Sequence, residues 1–192
     1  MVKSILKNAA VGGLIVFLWT MVSWMVFPWH QYPLKKFANE SAVANVISEN
    51  APNDGIYILP NTLHYSDKTS KKEISQGMQM LENGPFVFAS VRKGGMGKMT
   101  PTPFLISLIT QFIGALIVCW MLAQTKGLKF KKQVAFVTLF GIGIGIVSQI
   151  PNWNWWGFSA CYTRVSMLDY IVGWFLAGLA IAKLNKASFK KG

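Results

Sequence analysis

Acidic residues are scarce in this chain. Among its 192 residues, 7 are Asp or Glu against 19 Lys or Arg, a formal net charge of +12. Charged residues amount to 14%, while 52% are hydrophobic. A soluble domain carries about a quarter charged residues, and a disordered chain needs low hydrophobicity with high charge, so both classes fit poorly. Cysteine is almost absent. Cys119 and Cys161 form neither a zinc framework nor a disulfide scaffold, and the membrane depths expected for them are too different for a mutual bridge. Histidine is equally rare. His30 and His64 have no acid or cysteine at metal-ligand spacing, and they are not placed to face each other across a haem. No nucleophile elbow is present. Gly94-Gly95-Met96-Gly97-Lys98 lacks the spacing of a phosphate loop. No catalytic residue, metal or cofactor is therefore expected.

What the chain has is apolar length. A helix needs about 20 apolar residues to cross the hydrocarbon core. Four stretches qualify: Ala9 to Phe27, Phe104 to Ala123, Val134 to Ile150, and Val165 to Ala182. The third is short and glycine-rich, lying between Lys131-Lys132 and Pro151. The first follows Lys3 and Lys7, as a secretory signal would. It is long for one, and Phe27-Pro28-Trp29-His30 follows instead of a small-x-small cleavage site, so an uncleaved anchor is expected.

Lysine placement orients the spans. The N-terminal segment (Lys3, Lys7), the second loop (Lys126, Lys129, Lys131, Lys132) and the tail (Lys183, Lys186, Lys190, Lys191) contain no acid. The long first loop mixes eight basic residues with six acids, and the third connection holds only Arg164. Both termini are then expected on the cytoplasmic side, in agreement with an even number of spans. The basic charge at helix ends reads as topology signal and contact with anionic headgroups rather than nucleic-acid binding.

The expected architecture is an all-α membrane protein with four transmembrane helices and a small α+β extracytoplasmic insert between helices 1 and 2. Its segments are 1–28 (N-terminal segment and first helix), 29–101 (insert), 102–124 (second helix), 125–133 (cytoplasmic loop), 134–150 (third helix), 151–164 (tryptophan-rich outer connection), 165–183 (fourth helix) and 184–192 (basic tail). In the insert, Asn39-Glu40-Ser41 caps an amphipathic helix, and Gly55–Leu59 and Phe86–Val91 are strands. Asn61–Ser70 is loop, and Lys71–Asn83 is a helix with Ile74, Met78 and Leu81 on one face. A two-stranded sheet under two helices follows. The short second loop forces helices 2 and 3 into an antiparallel pair. Gly141/Gly145, Gly173/Ala177 and Gly178/Ala182 have the four-residue spacing of close helix packing.

Two features are candidates for interaction. Trp153, Asn154, Trp155 and Trp156 cluster where the chain leaves the outer leaflet. They act as an interfacial anchor or as a platform for a lipid, quinone or partner helix. Asp169 is the one acid in a span, roughly 7 Å beyond Arg164 along the helix. A carboxylate there needs a partner, but Arg164 is on the wrong face for one. Gln149, Asn152, a tryptophan N–H or Arg92 are better placed, and a structural tie is expected. Trp29 and His30 belong to the same interface, where His30 is expected to bond backbone or headgroups.

Trp153-Asn154-Trp155-Trp156-Gly157-Phe158, with Tyr162, Asp169, Gly173 and Trp174 beyond, and also Trp29-His30 and Gly55-Ile56-Tyr57, resembles a group of four-span bacterial inner-membrane proteins. The resemblance covers most of the chain. It implies a bacterial cytoplasmic membrane and assigns no residue a role. The expected function is a non-catalytic accessory or structural subunit of a larger membrane complex. The alternative is a lipid- or quinone-binding protein using the tryptophan cluster and Asp169. An outer-leaflet enzyme with Asp169 or His30 as base requires a second positioned group that the sequence does not supply.

Overall fold

The structure, a computed structural model, describes residues 2–125 and 127–189, with backbone only from 186 to 189. The charges assigned to Lys126, Lys190 and Lys191, and the side chain of Lys186, lie outside the described residues. The chain divides into two compact units, one of residues 1–35 and 100–192, the other of Lys36–Met99.

The first unit is built from α1 (Val2–Met25), α4 (Thr102–Gln124), α5 (Phe130–Trp156) and α6 (Ala160–Phe189). All four are long and apolar enough to cross a membrane, which makes this a multi-pass membrane protein. The outward surface is apolar, as lipid requires. On α4, Leu105, Ile106, Ile109, Ile113, Ile117 and Trp120 are all exposed, whereas Ala115, Val118 and Cys119 are buried. Small residues go inward because apolar burial does not drive helices together in lipid, and close backbone approach does.

The small residues place the helices. A Cβ on Gly13 would stand 2.7 Å from the Phe112 backbone on α4, and one on Gly178 would stand 3.2 Å from the Val134 carbonyl on α5. Gly12 meets Ile181, and Gly173 meets Trp19 and Val16. Thus α1 packs antiparallel on both α4 and α6, and α6 packs antiparallel on α5. The expected pairing of helices 2 and 3, here α4 and α5, is slight. Their short connection sets direction only, because Trp174 of α6 stands between them. A Cβ on Gly114 would be 3.2 Å from its ring, and Trp174 is 2% exposed. Phe140 meets the ring edge-on with centroids 4.9 Å apart.

The third span is longer than expected. α5 continues through Pro151 to Trp156 and ends at Gly157, which adopts φ +68°. Proline costs a helix one backbone donor and a steric clash at the preceding turn, and it is tolerated in membrane helices where other groups satisfy the freed carbonyls. In the next residue, the Asn152 side chain folds back along the helix and donates to the Ser148 carbonyl at 3.0 Å. The terminator is the glycine, with the Phe158 N–H returning to the Asn152 carbonyl at 3.2 Å. Most of segment 151–164 is therefore helix, and the connection to α6 is only 157–159.

Near the termini, three amides form a directional ladder. The Gln133 side-chain N–H donates to the Leu128 carbonyl at 2.7 Å, so its oxygen must face Asn185, which donates to it at 2.8 Å. The Asn185 oxygen in turn accepts from Asn8 at 2.6 Å.

The second unit contains α2 (Glu40–Asn50), β1 (Gly55–Leu59), α3 (Lys71–Asn83) and β2 (Val87–Val91). These follow the expected order closely. The strands pair antiparallel, from Gly55 opposite Val91 to Leu59 opposite Val87. Asn39 caps α2 by accepting from the Ala42 N–H at 3.0 Å. The sheet is not covered as expected. α2 has no buried residue, and Ile56, Leu59 and Val87 remain exposed, as do Ile74, Met78 and Leu81 on α3. α3 is held locally instead, with Tyr65 laid over Gly77 and its hydroxyl donating to the Glu73 carbonyl at 3.3 Å.

α3 begins with a reciprocal cap. The Ser70 Oγ accepts from the Glu73 N–H at 3.2 Å, while the Glu73 carboxylate accepts from the Ser70 N–H at 3.0 Å. The Ser70 hydroxyl, and then its backbone N–H, hold the Glu73 carboxyl below its ordinary value of 4.5. A depressed carboxyl contributes its stabilisation fully above that ordinary value and loses it as pH falls through the depressed one. Amide protection at Ser70 and Glu73 in the full-length protein, corrected for intrinsic exchange, is expected to fall only once the pH has dropped below the ordinary carboxyl value of 4.5. The Ser70→Ala variant should start lower and show a smaller fall, because its backbone N–H still reaches the Glu73 carboxylate. Equal protection in the two proteins at neutral pH would dismiss the cap.

Candidate ligand site at the far end of the helical bundle

At the end of the bundle away from the termini, the chain turns back on itself. After α1, Pro28 opens a single 3₁₀ turn, Pro28–His30, closed by the Gln31 N–H on the Pro28 carbonyl at 2.9 Å. Proline suits the first position of a helical turn because its φ is preset and no donor is wasted. The turn brings His30 back over Trp24, with the rings stacked at 3.9 Å and 11°. Residues 29–35 thus belong with the helices rather than with the insert.

His30 is 4% exposed, and among the described residues its Nε2 meets side chains rather than the expected backbone. Its Nε2 lies 2.8 Å from Asp169 Oδ2 and 3.0 Å from Ser23 Oγ. The Ser23 hydroxyl donates to the other carboxylate oxygen of Asp169, and its oxygen accepts from the Trp29 indole N–H at 2.9 Å. Facing a carboxylate, Nε2 carries the proton. Asp169 is thus tied to α1 and to the returning turn, and the expected structural tie has different partners. Gln149 donates to Ser148 at 3.1 Å, Asn152 to the Ser148 carbonyl, and Arg92 lies in the other unit. Only the tryptophan N–H takes part, through Ser23.

Serine, histidine and aspartate meet here without forming a hydrolytic triad. In a triad the carboxylate holds one ring nitrogen and the serine faces the other. Here both share Nε2, the serine proton goes to the acid, and Ser23 is 0% exposed. A substrate carbonyl has no approach to its oxygen.

Beside this cluster lies a cavity of about 170 Å³ to which all four long helices contribute. α1 supplies Thr20 and Trp24, α4 supplies Gln111, and α5 supplies Gln149. α6 supplies Tyr162, Ser166, Asp169 and Tyr170, which recur at helical spacing on one face. Thr20 is already committed to the Val16 carbonyl at 2.9 Å. The side-chain polar groups of Gln111, Tyr162, Ser166 and Tyr170 make no hydrogen bond within the protein among the described residues. All four residues are half-buried and converge on this one space.

The remaining sequence candidates lie elsewhere. Trp153 and Trp155 are 49% and 73% exposed, and neither they nor Trp156 line the cavity. Asn154 is exposed at the same helix end. Arg164 is exposed, with its Nε donating to the Ala160 carbonyl at 3.1 Å. Of the expected interface residues, the structure joins Trp29, His30 and Asp169. Ser23, Trp24, Gln111, Tyr162, Ser166 and Tyr170 were not singled out for this role. The α6 stripe carries a readable signal, since its polar residues recur at i, i+4, i+7 and i+8; Ser23 and Gln111 carry none. Comparison with protein-family models, with curated proteins and with solved structures finds no match.

Proposed function

We propose that this is a ligand-binding membrane protein whose far-end cavity holds the polar end of a membrane-dissolved molecule, a lipid or a quinone. The supporting observation is the convergence of Gln111, Tyr162, Ser166 and Tyr170, without protein partners, on a cavity beside Asp169. The lysine pattern supports both termini being cytoplasmic, and the resemblance noted above implies a bacterial inner membrane. On that reading the cavity and the mixed-charge insert belong to the outer side, and anionic headgroups meet the lysines.

The other reading, a non-catalytic accessory subunit of a larger complex, draws on small size and on helix faces rich in small residues. Those faces find their partners within the chain: Gly13 on Phe112, Gly141 on Trp174, Gly173 on Trp19 and Gly178 on Val134. They therefore give little reason to expect another subunit.

Purification in mild detergent separates the two. Mass spectrometry of the intact protein is expected to find a retained lipid or quinone at one per chain. The double variant Gln111→Leu/Ser166→Leu should lose most of that occupancy at unchanged helix content. Recovery as a fixed-stoichiometry part of a larger particle, with no small molecule retained, would replace this reading with the subunit reading.

A further inference from the structure

Resting on that reading, the chemistry of the cavity wall narrows the class of ligand. The chain carries 19 Lys and Arg, yet among the described residues none lines this cavity. Its wall presents one carboxylate and the rings of Trp24, Tyr162 and Tyr170 alongside His30. Each Asp169 oxygen accepts one protein hydrogen bond, from Ser23 and from His30, and a carboxylate oxygen can accept two. The hydrogen bonds from Ser23 and His30 orient the carboxylate and leave each oxygen one further acceptor direction. The side chain of Asp169 is 14% exposed, and that exposure is toward the cavity it lines. A carboxylate among aromatic faces is the arrangement that attracts an organic cation, through direct charge and through the ring quadrupoles. Gln111 and Ser166 add oxygens that accept from N–H groups. A quinone carbonyl or a phosphate would instead have to approach the carboxylate oxygen against its charge.

We infer that the cavity binds an ammonium group, using Asp169 as counter-charge and Trp24, Tyr162 and Tyr170 as its aromatic wall. The ammonium is that of a lipid headgroup or of a free amine, and the same contacts serve both.

The test is made on the full-length protein in detergent by native mass spectrometry, against an equimolar mixture of phosphatidylethanolamine and phosphatidylglycerol with identical acyl chains. A parallel titration uses ethanolamine and tetramethylammonium chloride, read by thermal shift. The wild type is expected to retain the ethanolamine lipid over the glycerol lipid by roughly tenfold, or to be stabilised by the free amines. The first result identifies a headgroup source and the second a free one. Asp169→Asn keeps the shape and the acceptor facing Ser23 or His30, and should abolish the preference. Tyr162→Leu leaves the Ser23–His30–Asp169 cluster intact and should weaken it several-fold. No preference in the wild type and no response to either amine overturns the inference, as does a preference that Asp169→Asn leaves unchanged. If the wild type instead retains a quinone or a glycerol lipid, the ammonium assignment fails while the ligand-binding reading stands. Retention of nothing at all, together with no response to either amine, removes both.

Discussion

Asp169→Leu is expected to destabilise the helical bundle by about 3–5 kcal/mol, the usual cost of removing one member of a buried polar pair. The carboxylate is the acceptor for both the Ser23 hydroxyl and His30 Nε2. Leucine fills similar space and accepts nothing. It leaves a fully buried hydroxyl and a 4% exposed imidazole to find partners in a surround that offers little water. Asp169→Asn should cost about 1–2 kcal/mol, because one amide oxygen still accepts while the amide nitrogen faces a donor. Reversible unfolding in mixed micelles measures both. A leucine variant within 1 kcal/mol of the wild type would mean that Ser23 and His30 reach other acceptors, and the account of this cluster would then be wrong.

Gly141→Val should be at least as damaging. A Cβ at Gly141 would stand 2.5 Å from the Cβ of Trp174, an atom close to the backbone with little freedom to retreat. Trp174 is in turn hemmed in by Gly114 and by the Phe140 ring. Valine adds branching to that clash, so α5 and α6 must separate. A loss of about 3 kcal/mol or more is expected, at the upper end of overpacking effects. Gly143→Ala supplies the control. A Cβ there meets nothing within 4 Å, and alanine is the better helix former, so that variant should match or exceed the wild type. If both substitutions behaved alike, tight packing around Trp174 would not be what joins α5 to α6.

The membrane helices were legible because their signal is local: long uncharged runs bounded by lysines, as in Phe104 to Ala123 between Lys98 and Lys126. The insert was legible for the same reason. Asn39 and Ser70 are side chains that cap their own helices, and Gly55–Leu59 is a strand in its own right. Residues whose role depends on a distant element were not. His30 reads as an interfacial histidine until the Pro28 turn folds it onto Trp24, and Ser23 acquires meaning only 146 positions away at Asp169. Asp169 itself stood out because an intramembrane acid is rare, but its partners could not be read from its own helix. Pro151 suggested a stop, whereas the stop came at Gly157, where a left-handed backbone conformation and the returning Phe158 N–H end the helix. Trp174, the central packing residue, looks from sequence like any other apolar residue of its span. Only the glycines on the facing helices reveal the space it fills.

The bonds from Asn8 to Asn185 and from Ser23 to Asp169 fasten α1 to α6 near both ends of their shared length. The two fastenings on α1 are fifteen residue steps of helix apart, roughly 22 Å. A pair fixed at two such points cannot slide lengthwise or roll one member against the other without breaking both. In a bilayer thicker or thinner than its preferred one, it has to lean as a single strut. The site beside Asp169 would keep its shape across such bilayers, while its depth below the headgroups would change.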